Sequence, residues 1–264
     1  MYRDNIFYFN GYRKEFIDFR TCPKNGSTSI KELYLKTLSP KELYNYENYV
    51  KTSTHEPLNW RQRLIWFYAD QFDMPFRKNS IRFAIRRDPL DRFKSAVEML
   101  QAQSKIAKVD PDINVDGFDK SYKGYSSVKE VLDKLESNEI VNAHFWTQTY
   151  YMGHPSQYDY VYDISEMGAC LTHVTNFVSL RDLQLDKYPI HLLMSNNSSD
   201  EDLAKVKSEE YNFKKRMGTH FDFVKISEEE KITRHMTSMD YARVRKLYKI
   251  DYENGWGIPA NVYR

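Results

Sequence analysis

Two spacings of apolar residues alternate along this chain. Short apolar or alternating runs are separated by longer segments in which apolar positions recur three and four residues apart. These are the patterns of strands and of helices buried on one side. Phe16-Ile17-Asp18-Phe19 reads as a strand, and the turn-like Thr21-Cys22-Pro23-Lys24-Asn25-Gly26 follows it. A helix opening at Ser27 or Thr28 carries Ile30, Leu33, Tyr34 and Leu38 on one face. Residues 59–70 read as a helix with Trp60, Leu64, Phe67 and Tyr68 on its apolar side. A second strand is expected over 80–85, followed by a helix over 90–103. Helices are predicted over 127–135 and 139–151, strands over 158–162 and 190–194, and a last helix over 239–249. This alternation predicts an α/β fold in which helices cover a mostly parallel central sheet.

Composition adds that a single domain occupies the chain. Its 264 residues suffice for a large core, and no Pro/Gly/Ser-rich linker, repeat or low-complexity tract divides residues 1–264. With 21 Tyr, 15 Phe and 4 Trp against 9 Gly, the chain has the makeup of an ordered protein. Basic and acidic residues number 39 and 37, for a formal charge of +2. That balance argues against a nucleic-acid-binding surface but leaves room for a local basic pocket. The two cysteines, Cys22 and Cys170, form no CxxC pair and fit a reducing compartment. The histidines show neither HExxH nor a Cys/His cluster, so no metal is expected. Met1-Tyr2-Arg3-Asp4 begins no apolar run of signal or membrane-spanning length, so the expectation is a soluble protein without a membrane partner.

The segment Pro23-Lys24-Asn25-Gly26-Ser27-Thr28-Ser29 lies between an expected strand and an expected helix. Backbone N–H groups at a helix start lack partners and point toward an incoming anion, which the helix dipole also favours. Gly26 lets the backbone curl around that anion, the three consecutive hydroxyls add donors, and Lys24 adds a mobile charge. An ordinary helix N-cap is the competing account, since Ser and Thr serve that role widely. The order of residues is not that of a Walker A loop, because the lysine precedes the glycine. A second segment, Arg86-Arg87-Asp88-Pro89-Leu90-Asp91-Arg92-Phe93-Lys94-Ser95, also follows a strand. Asp88 suits the N-cap and Pro89 the first helical turn, which brings Arg87 and Ser95 toward the C-terminal edge of the sheet. An arginine fork suits phosphate. Asp91 and Arg92 fit surface ion pairs around a helix start at least as well as a functional role.

Together these segments resemble the two phosphate motifs of the sulfotransferases that use 3'-phosphoadenosine-5'-phosphosulfate (PAPS). Pro23-Lys24-Asn25-Gly26-Ser27-Thr28-Ser29 is similar to the family's 5'-phosphosulfate loop, and Arg87-Asp88-Pro89 through Ser95 to its 3'-phosphate motif. Two further stretches, His144-Phe145-Trp146-Thr147-Gln148 with Tyr158-Asp159-Tyr160-Val161, and Leu247-Tyr248-Lys249-Ile250-Asp251-Tyr252, resemble the carbohydrate (Golgi-type) branch. The RKGxxGxW segment of the phenol and steroid enzymes is missing. The resemblance implies a P-loop-like three-layer α/β/α fold and transfer of a sulfuryl group from PAPS to an acceptor hydroxyl, with a carbohydrate as the leading candidate. It implies that Lys24 stabilises the leaving phosphate and that Asn25, Gly26, Ser27, Thr28 and Ser29 hold the 5'-phosphate. Arg87 and Ser95 would hold the 3'-phosphate of PAPS and of the product PAP.

In-line attack on sulfur requires a base for the acceptor's proton. Between the phosphate motifs, where many family members supply it, Thr52-Ser53-Thr54-His55-Glu56-Pro57 offers two candidates. His55 titrates near neutrality without tuning, whereas Glu56 would need its pKa raised by burial. His144 and Glu166 fit structural roles better. Two other readings remain. One is a P-loop kinase using ATP and Mg²⁺, which leaves the Arg-to-Ser motif unexplained. The other is an inactive module holding PAP or a sulfated glycan. Asn25-Gly26-Ser27, Asn196-Asn197-Ser198 and Asn197-Ser198-Ser199 match the glycosylation pattern. A glycan on Asn25 would block the loop, which points to a cytoplasmic home in a bacterium or a bacterial virus.

Overall fold

The strand Phe-Ile-Asp-Phe-Arg sends alternate side chains to opposite faces of a sheet, and the fold grows from that alternation. The computed structural model describes residues 6–10, 16–37, 76, 78–109, 124–140, 143–178 and 226–257. Four strands, β1 (Ile6–Asn10), β2 (Phe16–Arg20), β3 (Ser80–Arg86) and β4 (Tyr160–Asp163), lie in the order β1-β2-β3-β4. Strands β2, β3 and β4 run parallel, and β1 pairs antiparallel with β2. The register places Phe19 opposite Phe83 and Phe83 opposite Tyr160. Ile17, Phe19, Phe83 and Ile85 therefore share one face and build one core cluster. Helix α1 (Ser27–Thr37) adds Ile30, Leu33 and Tyr34 to that cluster, and α5 (Met167–Thr175) adds Cys170 and Val174.

The opposite face carries Asp18, Arg20, Ala84, Arg86 and Val161. Ala84 and Val161 pack there with Cys22, Tyr158, Trp256 and the short helix α4 (Gln148–Met152). Arg86 bonds Asp163 at 2.9 Å through Nη2 and the carbonyl of Trp256 at 3.0 Å through Nη1, which engages both terminal nitrogens of a nearly buried guanidinium. A third cluster joins α2 (Pro89–Val109), α3 (Val128–Glu136) and α6 (Ser238–Leu247) through Phe93, Val97, Leu100, Val131, Leu132 and Val244. A last short helix, α7 (Lys249–Glu253), follows. The architecture is α/β, a mostly parallel sheet with helices, as the alternation of patterns predicts.

Three expectations need correction. The helix predicted over 139–151 is absent as one element. A 3-10 turn at Ala143–Phe145 precedes α4, whose N-cap is Thr147, its hydroxyl accepting from Tyr150 N. The last helix breaks at Tyr248 into α6 and α7. Strand β4 starts at Tyr160, because Tyr158 N donates to Pro155 O in a 3-10 turn and Asp159 caps Arg82 N through its carboxylate. Strand β1 has no counterpart in the sequence reading. The helix predicted over 59–70 and the strand over 190–194 lie outside the described residues.

Candidate functional site

Parallel pairing of β2 and β3 brings the segments that follow them to the same end of the sheet. After β2 the chain makes a tight loop, with Asn25 N donating to Cys22 O at 3.1 Å before α1 begins at Ser27. Lys24 and Gly26 both hold positive φ, at 71° each. The left-handed φ is what calls for glycine at Gly26, since the Met167 methyl that an added Cβ would meet is the free end of a flexible side chain. Among the described residues, no carbonyl accepts from the N–H of Gly26, Ser27 or Thr28. These donors sit at the N-terminal end of an eleven-residue helix. Ser27 and Ser29 are half-buried there.

After β3, Asp88 caps α2, its Oδ1 accepting from Leu90 N at 2.9 Å and Asp91 N at 3.3 Å. Arg87, just before this cap, turns its guanidinium to the loop and donates from Nη1 to Lys24 O at 3.1 Å. Burial pushes Arg87 below the ordinary arginine pKa, and the more distant Asp91 and Glu98 only partly offset this. No described carboxylate forms an ion pair with it. Ser95 is half-buried on α2 and takes no part in the bonds that tie Arg87 to the loop.

Arg92 departs from the expected surface ion pair. It is fully buried, donating from Nε to Pro23 O at 3.0 Å and from Nη2 to His144 O at 3.1 Å. Asp91 does lie at the surface, 3.8 Å from Lys94. The helix start therefore uses Arg92 to hold the loop after β2 from beneath.

Gln148, the first residue of α4, joins the two segments. Its Oε1 accepts from Asn25 Nδ2 at 2.6 Å and from Arg87 N at 3.0 Å, and its Nε2 donates to Arg87 O at 2.8 Å. Asn25 is fully buried and also donates to Ile85 O at 3.0 Å, which leaves its side chain no route to a glycan. Asp251 on α7 accepts from Gln148 N at 2.8 Å and Thr149 N at 2.7 Å. Burial raises the Asp251 pKa, while these two N–H groups act in the other direction. Gln148 and Asp251 appear in the sequence only within the two broader resemblances. The signal for their role was the position of each in its motif, a glutamine four residues after His144 and an aspartate four after Leu247.

No protein family, curated protein or solved structure matches this chain. The site therefore stands on its own geometry. Cys22 and Cys170 are free and buried in different clusters, their thiols pushed up to about 11 and about 12, chiefly by burial. Glu166 accepts from Asp163 N at 3.1 Å in a capping box, and His144 offers its carbonyl to Arg92. His55 and Glu56 lie outside the described residues. Among the described residues, no group of three or more His, Cys, Asp or Glu could hold a metal ion, and no helix is long and apolar enough to cross a membrane.

Proposed function

We propose that this protein is a PAPS-dependent sulfotransferase acting on an acceptor hydroxyl, with a carbohydrate as the favoured acceptor. The observation that carries the reading is Arg87. It is a half-buried cation, destabilised by desolvation and without a described carboxylate partner, hydrogen-bonded to a loop whose helix-start N–H groups also lack acceptors. A desolvated and only partly compensated positive charge beside unpaired donors is what a phosphate ester would complete.

In this reading Gly26, Ser27, Thr28 and Ser29, with Asn25 shaping the turn, hold the 5'-phosphate. Arg87 and Ser95 hold the 3'-phosphate. The acceptor oxygen bonds to sulfur as the bond from sulfur to the phosphate oxygen breaks, and Lys24 stabilises the charge that grows on the departing PAP. The acceptor's proton passes to His55 or, failing it, Glu56.

Calorimetric titration with PAP, with AMP and with ATP plus Mg²⁺ as controls, tests the reading. Tight binding of PAP that collapses in Arg87→Ala is expected. A preference for ATP with Mg²⁺, or no response to PAP, would overturn it in favour of a kinase or an unrelated anion site.

A further inference from the structure

Resting on the sulfotransferase reading, we infer that Gln148 is a positioning residue that sets the two phosphate-binding segments in register, and that Asp251 acts through it. The carboxamide is used on both sides. Its oxygen receives Asn25 Nδ2 from the loop after β2 and Arg87 N from the segment after β3, and its nitrogen donates back to Arg87 O. Arg87 in turn reaches Lys24 O, closing a ring of bonds through Lys24, Asn25, Gln148 and Arg87. Only a group with an acceptor and a donor on one carbon fits. A carboxylate keeps the acceptor but turns a lone pair on Arg87 O, and an aliphatic side chain leaves buried polar groups unmatched. Asp251 fixes where the carboxamide starts, since its two oxygens each take one N–H at the head of α4. A helix of five residues has little stability of its own, so these two bonds fix its direction.

The consequence concerns ligand affinity more than fold. The separation of the 5' and 3' phosphates of PAP is confined to a limited range by the single ribose that joins them, so binding demands that the loop and Arg87 stand at a matching separation. Gln148 sets that separation without touching the ligand's charge. Gln148→Glu is the informative change, because it is nearly isosteric and its mismatch can be reversed by a proton. Facing Arg87 O in a buried setting, the new carboxyl has a raised pKa. Below that pKa it is neutral and can donate to Arg87 O as the carboxamide does. Above it, charge repels that carbonyl and parts the two segments. Gln148→Met, which adds no charge, should lose affinity alike at pH 8, and a Gln148→Met that binds PAP as wild type does would overturn the positioning role.

The test is PAP titration of the full chain, wild type and Gln148→Glu, at pH 8 and pH 5.5, taking the ratio of the two dissociation constants at each pH. The ratio cancels the ligand's own titration. Expected is a loss of about tenfold or more at pH 8 that largely recovers at pH 5.5. A ratio near one at pH 8 overturns the positioning role, and so does an equal loss at both pH values, which would mark a merely structural residue. Wild type that fails to bind PAP overturns the sulfotransferase reading itself, and this inference with it. Asp251→Asn provides the second arm. It should weaken PAP binding at both pH values in a protein that still unfolds cooperatively, and unchanged affinity would remove Asp251 from the chain of action.

Discussion

Arg87 and Arg92 lie five positions apart and are held differently, Arg87 keeping a half-buried guanidinium against Lys24 O beside the loop after β2. Arg92 is fully buried instead, a bracket whose guanidinium donates to Pro23 O and His144 O. The difference separates two substitutions. Arg87→Ala should reduce PAP affinity roughly tenfold to a hundredfold at little cost in stability, and Arg87→Lys should recover only part of the loss, because an ammonium lacks the planar fork. Calorimetry against thermal unfolding separates the effects. The thiols give a second prediction at this scale. With Cys22 pushed up to about 11 and Cys170 to about 12, both stay protonated at pH 8, so a thiol-specific reagent should find no fast-reacting cysteine in the folded protein and two after denaturation. A third concerns the base. His55→Ala should keep PAP affinity and lose turnover, and full activity in an assay with labelled PAPS would transfer the role to Glu56.

Among the elements, β2, α1, β3 and α2 were legible for a common reason, since each carries a strong period and a clear boundary signal such as Gly26 or Asp88-Pro89. Where periodicity and capping compete, the caps win. Residues 139–151 have apolar positions enough for a helix, but Thr147 takes the N-cap conformation, with ψ at 152°, and the helix restarts there. That restart places Gln148 at a helix head, where its backbone N–H can be met by Asp251. Thr147→Ala should therefore cost about 1 kcal/mol, read as a lower denaturation midpoint. Strand β1 escaped the sequence reading because Ile6-Phe7-Tyr8-Phe9-Asn10 shows no alternation of apolar and polar residues.

Across the whole molecule, the parallel order of β2, β3 and β4 was foreseeable from alternating patterns, but the way the site is tied to the rest of the fold was not. Arg92 emerges from α2, which belongs to the cluster with α3 and α6, and supports a loop that belongs to the sheet. Such long-range bonds leave no periodic trace in a sequence. Arg92→Ala removes the donors for two half-buried carbonyls and opens a void where a fully buried side chain stood, for an expected loss of roughly 2–5 kcal/mol. Arg92→Lys should rescue little, since one ammonium cannot reach both oxygens along a planar fork. Thermal unfolding of the two variants side by side checks this.

The bond network around Gln148 also has a history within each molecule's synthesis. Asn25, Arg87, Gln148 and Asp251 leave the ribosome in that order, and the network cannot close before the last of them appears. At ordinary elongation rates, on the order of ten to fifty seconds separate the emergence of Asn25 from that of Asp251. Once Arg87 has followed Asn25 out, and until Asp251 appears, the nascent chain displays its glycine loop and its arginine but has no means of setting them in register. Competence to capture an anion would then arrive abruptly, late in translation.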